Sequence, residues 1–350
     1  MLAKVRIIGS GLIGTSIGLG LVQQGIAVEM VDLDPLAQSL ANDLVGGVVV
    51  VDPDLVILAL PTSSLSQVIE HEIALNPHST FMDVGSVKHE VVLKVKTFSG
   101  LSERFLPTHP MAGREIGGAG SARADLFQGR SWILTPEAEC SPESRNLVLE
   151  LIKSLGATPI ELSAVDHDAA VAKISHLPQI IASLLAKQLT STPMEWMELA
   201  GQGLRDTTRI AGSDEKLWKE IIYSNRSEIS ELLIRLQSDL TQMIAALDDP
   251  GKIAALIAAG RDGKAMIPGK HGGKAREYSY LPIVIDDKPG QLASIFNECA
   301  AMRVNVEDLN IEHSPGQLSA LITLSLSSQD AEKLSAHLTS IGWNVHPVRK

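Results

Sequence analysis

The stretch Lys4-Val5-Arg6-Ile7-Ile8-Gly9-Ser10-Gly11-Leu12-Ile13-Gly14 decides the fold: a β-branched run breaks at a glycine turn and resumes as an apolar helix from about Leu12 to Gln24. The turn fits GxGxxG, a weak signal when it stands alone. Its place between a strand and a helix strengthens it. There Gly9 permits a tight turn, Gly11 lets the backbone approach a pyrophosphate, and Gly14 lets helix and strand pack closely. The helix N-terminus at Leu12 and Ile13 offers free N–H groups and the positive end of a dipole to phosphates. A second strand, Ala27 to Val31, ends at Asp32, where a carboxylate accepts hydrogen bonds from the adenosine ribose hydroxyls. Leu33 follows, and no base is nearby for a 2′-phosphate, so NAD is expected over NADP.

Working outward, buried-strand candidates recur at 55–60, 80–84, 104–107 and 131–134, with helical stretches between most of them. That alternation implies parallel βαβ units and an α/β, Rossmann-like doubly wound sheet, placed at 1–165. From 166 to 250 the pattern turns helical, with period 3.6 and almost no strand signal. Apolar helices such as Ile180–Leu189 and Ile229–Leu247 bury more easily against a second copy than in a thin layer, so a homodimer is expected. A Gly/Lys-rich stretch, including Ile-Pro-Gly-Lys-His-Gly-Gly-Lys at 267–274, reads as a linker over 251–279. The last block, 280–350, reads strand, helix, strand, strand, helix, strand: a ferredoxin-like βαββαβ sandwich.

Composition narrows the function. A chain of 350 residues with 45% hydrophobic and 20% charged residues can bury several cores. Its net charge of −11 argues against nucleic acid, and any anionic substrate must be drawn in by a local cluster of cations. The two cysteines, Cys140 and Cys299, lack zinc-ligand spacing, and no metal is expected. The start carries no charged leader or cleavage site, and no stretch reads as the roughly 18 apolar residues that span a bilayer. A cytoplasmic protein without a membrane partner is therefore expected.

Two further motifs follow later strands: Asp83-Val84-Gly85-Ser86-Val87-Lys88 and Thr108-His109-Pro110-Met111-Ala112-Gly113. Ligands of doubly wound sheets bind at such carboxyl ends. His109, held extended by the following proline, is a natural general base for a hydroxyl proton. Downstream lie Asp166-His167-Asp168, Ser175-His176-Leu177-Pro178, Arg205-Asp206-Thr207-Thr208-Arg209-Ile210-Ala211 and Trp218. In this order over about residues 4–247, these motifs resemble the prephenate/arogenate dehydrogenase family, and the tail from Leu281 is similar to an ACT regulatory domain.

The resemblance implies oxidative decarboxylation on the route to tyrosine: a cyclohexadienol loses hydride to NAD and carbon dioxide to solution as its ring becomes aromatic. It implies that His109 takes or polarises the hydroxyl proton, and that Ser86 hydrogen-bonds both His109 and the nicotinamide region. Arg209 binds a substrate carboxylate through its planar fork. Glu115 and Asp206 hold Arg209 in place, and Trp218 closes part of the pocket. His176 either faces substrate or is a packed, hydrogen-bonded core histidine. Through Asp286-Asp287-Lys288-Pro289-Gly290-Gln291-Leu292 the ACT pattern implies an amino-acid effector, tyrosine first, or else a purely assembling role.

Gln179 stands where relatives acting on prephenate often carry a second histidine, which leaves prephenate and arogenate both open. Arg114 replaces a small polar residue and either adds a cation near the pocket or points to solvent. Two other readings compete. A β-hydroxyacid or imine reductase would need a lysine facing the nicotinamide and would leave His109 unexplained. An NAD- and amino-acid-sensing module would bind both ligands without turnover.

Overall fold

The computed structural model describes residues 2–114, 116–267, 278–313 and 318–349, with only the backbone described at His313. By its contacts the chain divides into two compact units, Met1–Ser238 and Asp239–Lys350.

The first unit is built on a seven-stranded sheet. Its strands are β1 (Lys4–Ile8), β2 (Ala27–Val31), β3 (Leu55–Leu58), β4 (Thr80–Asp83), β5 (Phe105–Pro110), β6 (Ser131–Leu134) and β7 (Thr158–Glu161), in the order β2-β1-β3-β4-β5-β6-β7. The central strands β3 and β4 are buried at every residue, as a parallel sheet covered on both faces requires. Successive side chains feed opposite cores. Ile7, Ile57, Met82 and Leu106 join Ile17, Leu21 and Trp132 on one face, while Ile8, Leu58, Phe81 and Phe105 join Leu65, Ile69 and Val91 on the other.

Local chemistry sets the helix ends. Asp34 caps Pro35–Val45 by accepting from Leu36 N at 2.9 Å, and Gly46 closes that helix in the left-handed region. Ser163 caps Ala164–Val171 through Asp166 N.

The sheet departs from expectation at one edge. β5 pairs with β6 antiparallel, and β6 pairs with β7 parallel, so the last two strands oppose the first five. The pattern of strands and helices anticipated parallel βαβ units throughout and did not anticipate β7. Among the described residues the chain from Met111 to Arg130 holds a short 3-10 turn, Ala119–Ser121, and no α-helix, so no helical crossover enforces parallel pairing there.

Helices follow without further strands to the end of the first unit. Ala164–Val171 runs through a π turn, Ala172–His176, into Leu177–Gln188, and Glu215–Ser224 precedes Arg226–Ala246. The continuous helical run Ala164–Ser191 contains an 18-residue window of mean hydropathy 1.4, long and apolar enough to cross a membrane by length and composition, contrary to the expectation that no stretch reached that size. Its residues Val171, Ala172, His176 and Ala182 are buried in the protein, and it carries polar groups of the site described below.

In the second unit, residues expected as linker from 251 instead form a helix, Pro250–Ala265, capped by Asp249. None of its side chains is buried, which is why the sequence showed no core there. The region 268–277 lies outside the described residues. Strands β8 (Ser279–Asp286), β9 (Asp308–His313), β10 (Ser319–Leu326) and β11 (Asn344–Val345) form an antiparallel sheet ordered β11-β8-β10-β9. Helices Gln291–Ala301 and Ser328–Ser340 alternate with the strands in the expected βαββαβ order, burying Ile295, Leu334 and Leu338 with Leu281, Ile283 and Ile322.

Candidate active site

Between β1 and β3 the strand order reverses, which is where doubly wound sheets bind ligands. The glycine turn fits the crevice as its spacing implied. Gly9 has φ +111, and a Cβ there would stand 2.2 Å from Ala59 O. A Cβ on Gly14 would stand 2.1 Å from Gly9 O, whereas one on Gly11 would meet nothing within 4 Å. The first and third glycines are thus required by packing, and the second leaves open space over the helix N-terminus. Asp32 accepts from Ser10 N at 2.6 Å and from Asp34 N at 2.9 Å, so its carboxylate is already fixed against the turn.

A cleft of about 670 Å³ extends from this turn and is lined by Gly11, Leu12, Ile13, Gly14, Ser86 and Trp218 among others. Its size suits a small-molecule site. Arg114 lines it too, with its guanidinium bonded to the Ser121 carbonyl at 2.8 Å.

His109 sits on β5 opposite Ile133 of β6. Its Nδ1 lies 2.8 Å from His167 Nε2, and His167 Nδ1 lies 2.7 Å from Asp168 Oδ1. Asp168 also accepts the backbone N–H groups of Lys88 at 2.7 Å and His89 at 2.9 Å. Burial works to raise the Asp168 carboxyl, but the bonds from His167, Lys88 and His89 outweigh it and hold it below the usual carboxylate range.

These contacts constrain where the protons lie. An ionised Asp168 can only accept, so His167 Nδ1 carries its hydrogen, and the contact between His167 Nε2 and His109 Nδ1 holds one proton between the two nitrogens. With that proton on His109 Nδ1, the lone pair of the neutral His109 ring falls on Nε2. Among the described residues that nitrogen has no hydrogen-bond partner. Burial, with the neighbouring His167, Lys88 and His176, pushes the His109 ring well below its ordinary value, so it is a neutral acceptor at physiological pH.

Beneath lies a buried ion pair. Lys88 Nζ meets Asp83 and donates to Thr108 O at 2.7 Å, and Trp132 Nε1 donates to Thr108 Oγ1 at 2.9 Å. This clamps β4, β5 and β6 together under His109.

The remaining expected residues divide. Ser86 lines the cleft, but its hydroxyl makes no hydrogen bond among the described residues, so the expected bond to His109 is not formed and His167 holds the ring instead. His176 is buried and edge-on to Trp218, with ring centroids 6.0 Å apart. Burial lowers its ring from 6.5 to about 4. Gln179 is buried and donates to Ile210 O at 2.9 Å, which ties it to the turn Arg209–Gly212. Asp206 accepts from Gln202 at 2.7 Å. Arg209 is exposed at the start of its turn, and Glu115 lies outside the described residues. The sequence reading gave no role to His167, Asp168 or Asn225. The first two stood in a quoted motif, and two polar residues at the head of an apolar helix were the available signal.

The fold and this centre define a dinucleotide-binding protein with a neutral histidine acceptor at the sheet's carboxyl edge. Residues 28–161 match the model of the prephenate dehydrogenase nucleotide-binding domain, and residues 163–255 match that of the prephenate dehydrogenase dimerization domain. The chain belongs to the prephenate dehydrogenase family. A probable prephenate dehydrogenase of Streptomyces niveus is 29% identical, over 96% of this chain and 98% of its own. The crystal structure of Aquifex aeolicus prephenate dehydrogenase with hydroxyphenyl propionate and NAD+ is 26% identical with a TM-score of 0.68, covering 76% of this chain and 99% of that one. Synechocystis arogenate dehydrogenase is 25% identical with a TM-score of 0.62, covering 75% of this chain and 100% of that one.

Proposed function

We propose that the chain is an NAD-dependent, cytoplasmic prephenate dehydrogenase that forms 4-hydroxyphenylpyruvate and carbon dioxide for tyrosine synthesis, working as a homodimer. The observation that carries the reading is the chain of contacts from Asp168 through His167 to His109 Nδ1, which leaves His109 Nε2 without a partner among the described residues and able to hold the ring's lone pair. That nitrogen accepts the substrate hydroxyl proton as hydride leaves the same carbon. The glycine turn fits the cofactor: the open space at Gly11 admits a pyrophosphate, and Asp32 with Leu33 favours an unphosphorylated ribose. NAD supplies the hydride acceptor when bound.

Arg209 binds a substrate carboxylate, steadied by Asp206, while His176 and Trp218 bound the substrate side and Ser86 the nicotinamide side. Gln179 is spent on the Arg209 turn, and its neutral amide leaves room for arogenate as a second substrate. The C-terminal βαββαβ unit is assigned as an ACT domain that binds tyrosine as an inhibitor.

His109→Asn should lower turnover roughly 10²–10⁴-fold with NAD and prephenate affinity nearly intact, read as NADH formation. Near-normal turnover would remove His109 as the base. For the effector, tyrosine should inhibit the full chain and spare one ending near residue 279; equal inhibition of both removes the C-terminal unit from regulation.

A further inference from the structure

Asn225 is buried and joins two residues, Asp168 and His176, that lie 57 and 49 positions before it. Its Nδ2 donates to the main-chain carbonyl of Asp168 at 2.9 Å and lies 3.1 Å from His176 Nδ1. A carbonyl oxygen can only accept, so the first contact identifies the amide nitrogen. Turning the amide over would set its oxygen against that carbonyl and leave buried acceptors unpaired, which costs about 1–3 kcal/mol. The second hydrogen of the same nitrogen then points at His176, whose Nδ1 must hold a lone pair.

We propose that Asn225 is a positioning residue that holds His176 neutral and protonated on Nε2, so that the site's two histidines present opposite polarity. His109 offers a lone pair at Nε2, and His176 offers an N–H at Nε2. The inference rests on the reading of His176 as facing substrate. It adds that the ring serves a substrate oxygen as a neutral donor, leaving charge recognition to guanidinium. Both polarities trace to Asp168, whose carboxylate acts through His167 and whose carbonyl acts through Asn225.

Three observations support it. His176 is 1% exposed, and its Nε2 has no partner among the described residues. It ends a π turn, Ala172–His176, a distortion of helix register found often at functional positions. The groups that face it are Asn225, the edge-on Trp218, and the charged or titratable Asp168, His167 and His109. Burial exceeds the pull of Asp168 and keeps the ring uncharged.

The test uses the full chain with 15N-labelled histidine, reading which ring nitrogens are protonated at pH 7 and assigning His176 by its loss in His176→Gln. The expected spectrum has His176 protonated on Nε2 alone and His109 on Nδ1 alone. Asn225→Asp supplies only acceptors, so His176 should become doubly protonated near pH 6 and the pH profile of kcat/KM should gain an ionisation between about pH 5 and 8. Asn225→Ala should release the tautomer and raise KM for prephenate about tenfold with kcat little changed. A wild-type His176 protonated on Nδ1, or an unaltered tautomer in Asn225→Asp, overturns the proposal; the first result needs no variant to fold. An active His109→Asn beside the expected spectrum would sink the catalytic reading alone, and an inactive one beside a reversed His176 would sink this inference alone.

Discussion

The glycine turn after β1 and the histidine centre above β5 occupy one edge of the same sheet and are made of opposite materials. The turn is backbone, shaped by the absence of side chains, and two of its three glycines sit against main-chain oxygens at distances no Cβ could occupy. The centre is made of polar side chains on both sides of Asp168: His109 and His167 lead to its carboxylate, while His176 and Asn225 lead to its main-chain carbonyl, each contact constraining the proton of the next ring. A steric site fails by collision at particular positions. A polar site fails by propagation, because one reversed donor reverses its neighbours.

Substitution in the turn tests the first half of that contrast most severely. Gly9→Ala combines strain at φ +111 with overlap on Ala59 and should destabilise the protein by about 6 kcal/mol, the upper end of the two costs together. Gly11→Ala should leave the melting temperature unchanged and weaken only NAD binding. If both variants melt alike, collision does not govern the turn. Lys88→Met comes next. It strands the Asp83 carboxyl where both partners are fully buried, and urea unfolding should show a loss of about 4 kcal/mol. A loss below about 1 kcal/mol would mean that β4, β5 and β6 do not depend on the clamp.

Acid gives the smallest effect. Between pH 6.5 and about 4 the unfolded chain takes up a proton that folded His176 refuses, so stability falls as pH drops through that window. The fall from this group is on the order of 3 kcal/mol, and His109, shifted the same way, steepens it. Titrated stability in His176→Gln should be flatter over the same range; an identical slope would assign the acid lability elsewhere.

The turn was legible because its requirements are local: strand, glycines, helix and Asp32 lie within 32 residues. His109 was legible from the proline beside it and the strand before it. Its partner was not, since His167 is 58 residues away and meets it only after β6 and β7 reverse. Strand and helix alternation carries no sign of direction, and β7, Thr-Pro-Ile-Glu with largely exposed side chains, shows no apolar run. The role assumed for Ser86 went to His167 for the same reason: spacing brings Ser86 near, but only the tertiary arrangement decides which group reaches Nδ1. The helix Pro250–Ala265 hid behind Gly251, Gly260 and Gly263 and an unburied surface.

The reversed pair of strands has an architectural consequence. Leu134 stands level with Thr108 on one side and with Glu161 on the other, so the chain leaves the sheet one rung from His109, six residues before His167. One rung of slippage is about 3.3 Å, more than the whole length of the contact between the two rings. The ladder therefore acts as a ruler. The count of residues from 158 to 167 must stay fixed for the base to keep its proton on the correct side.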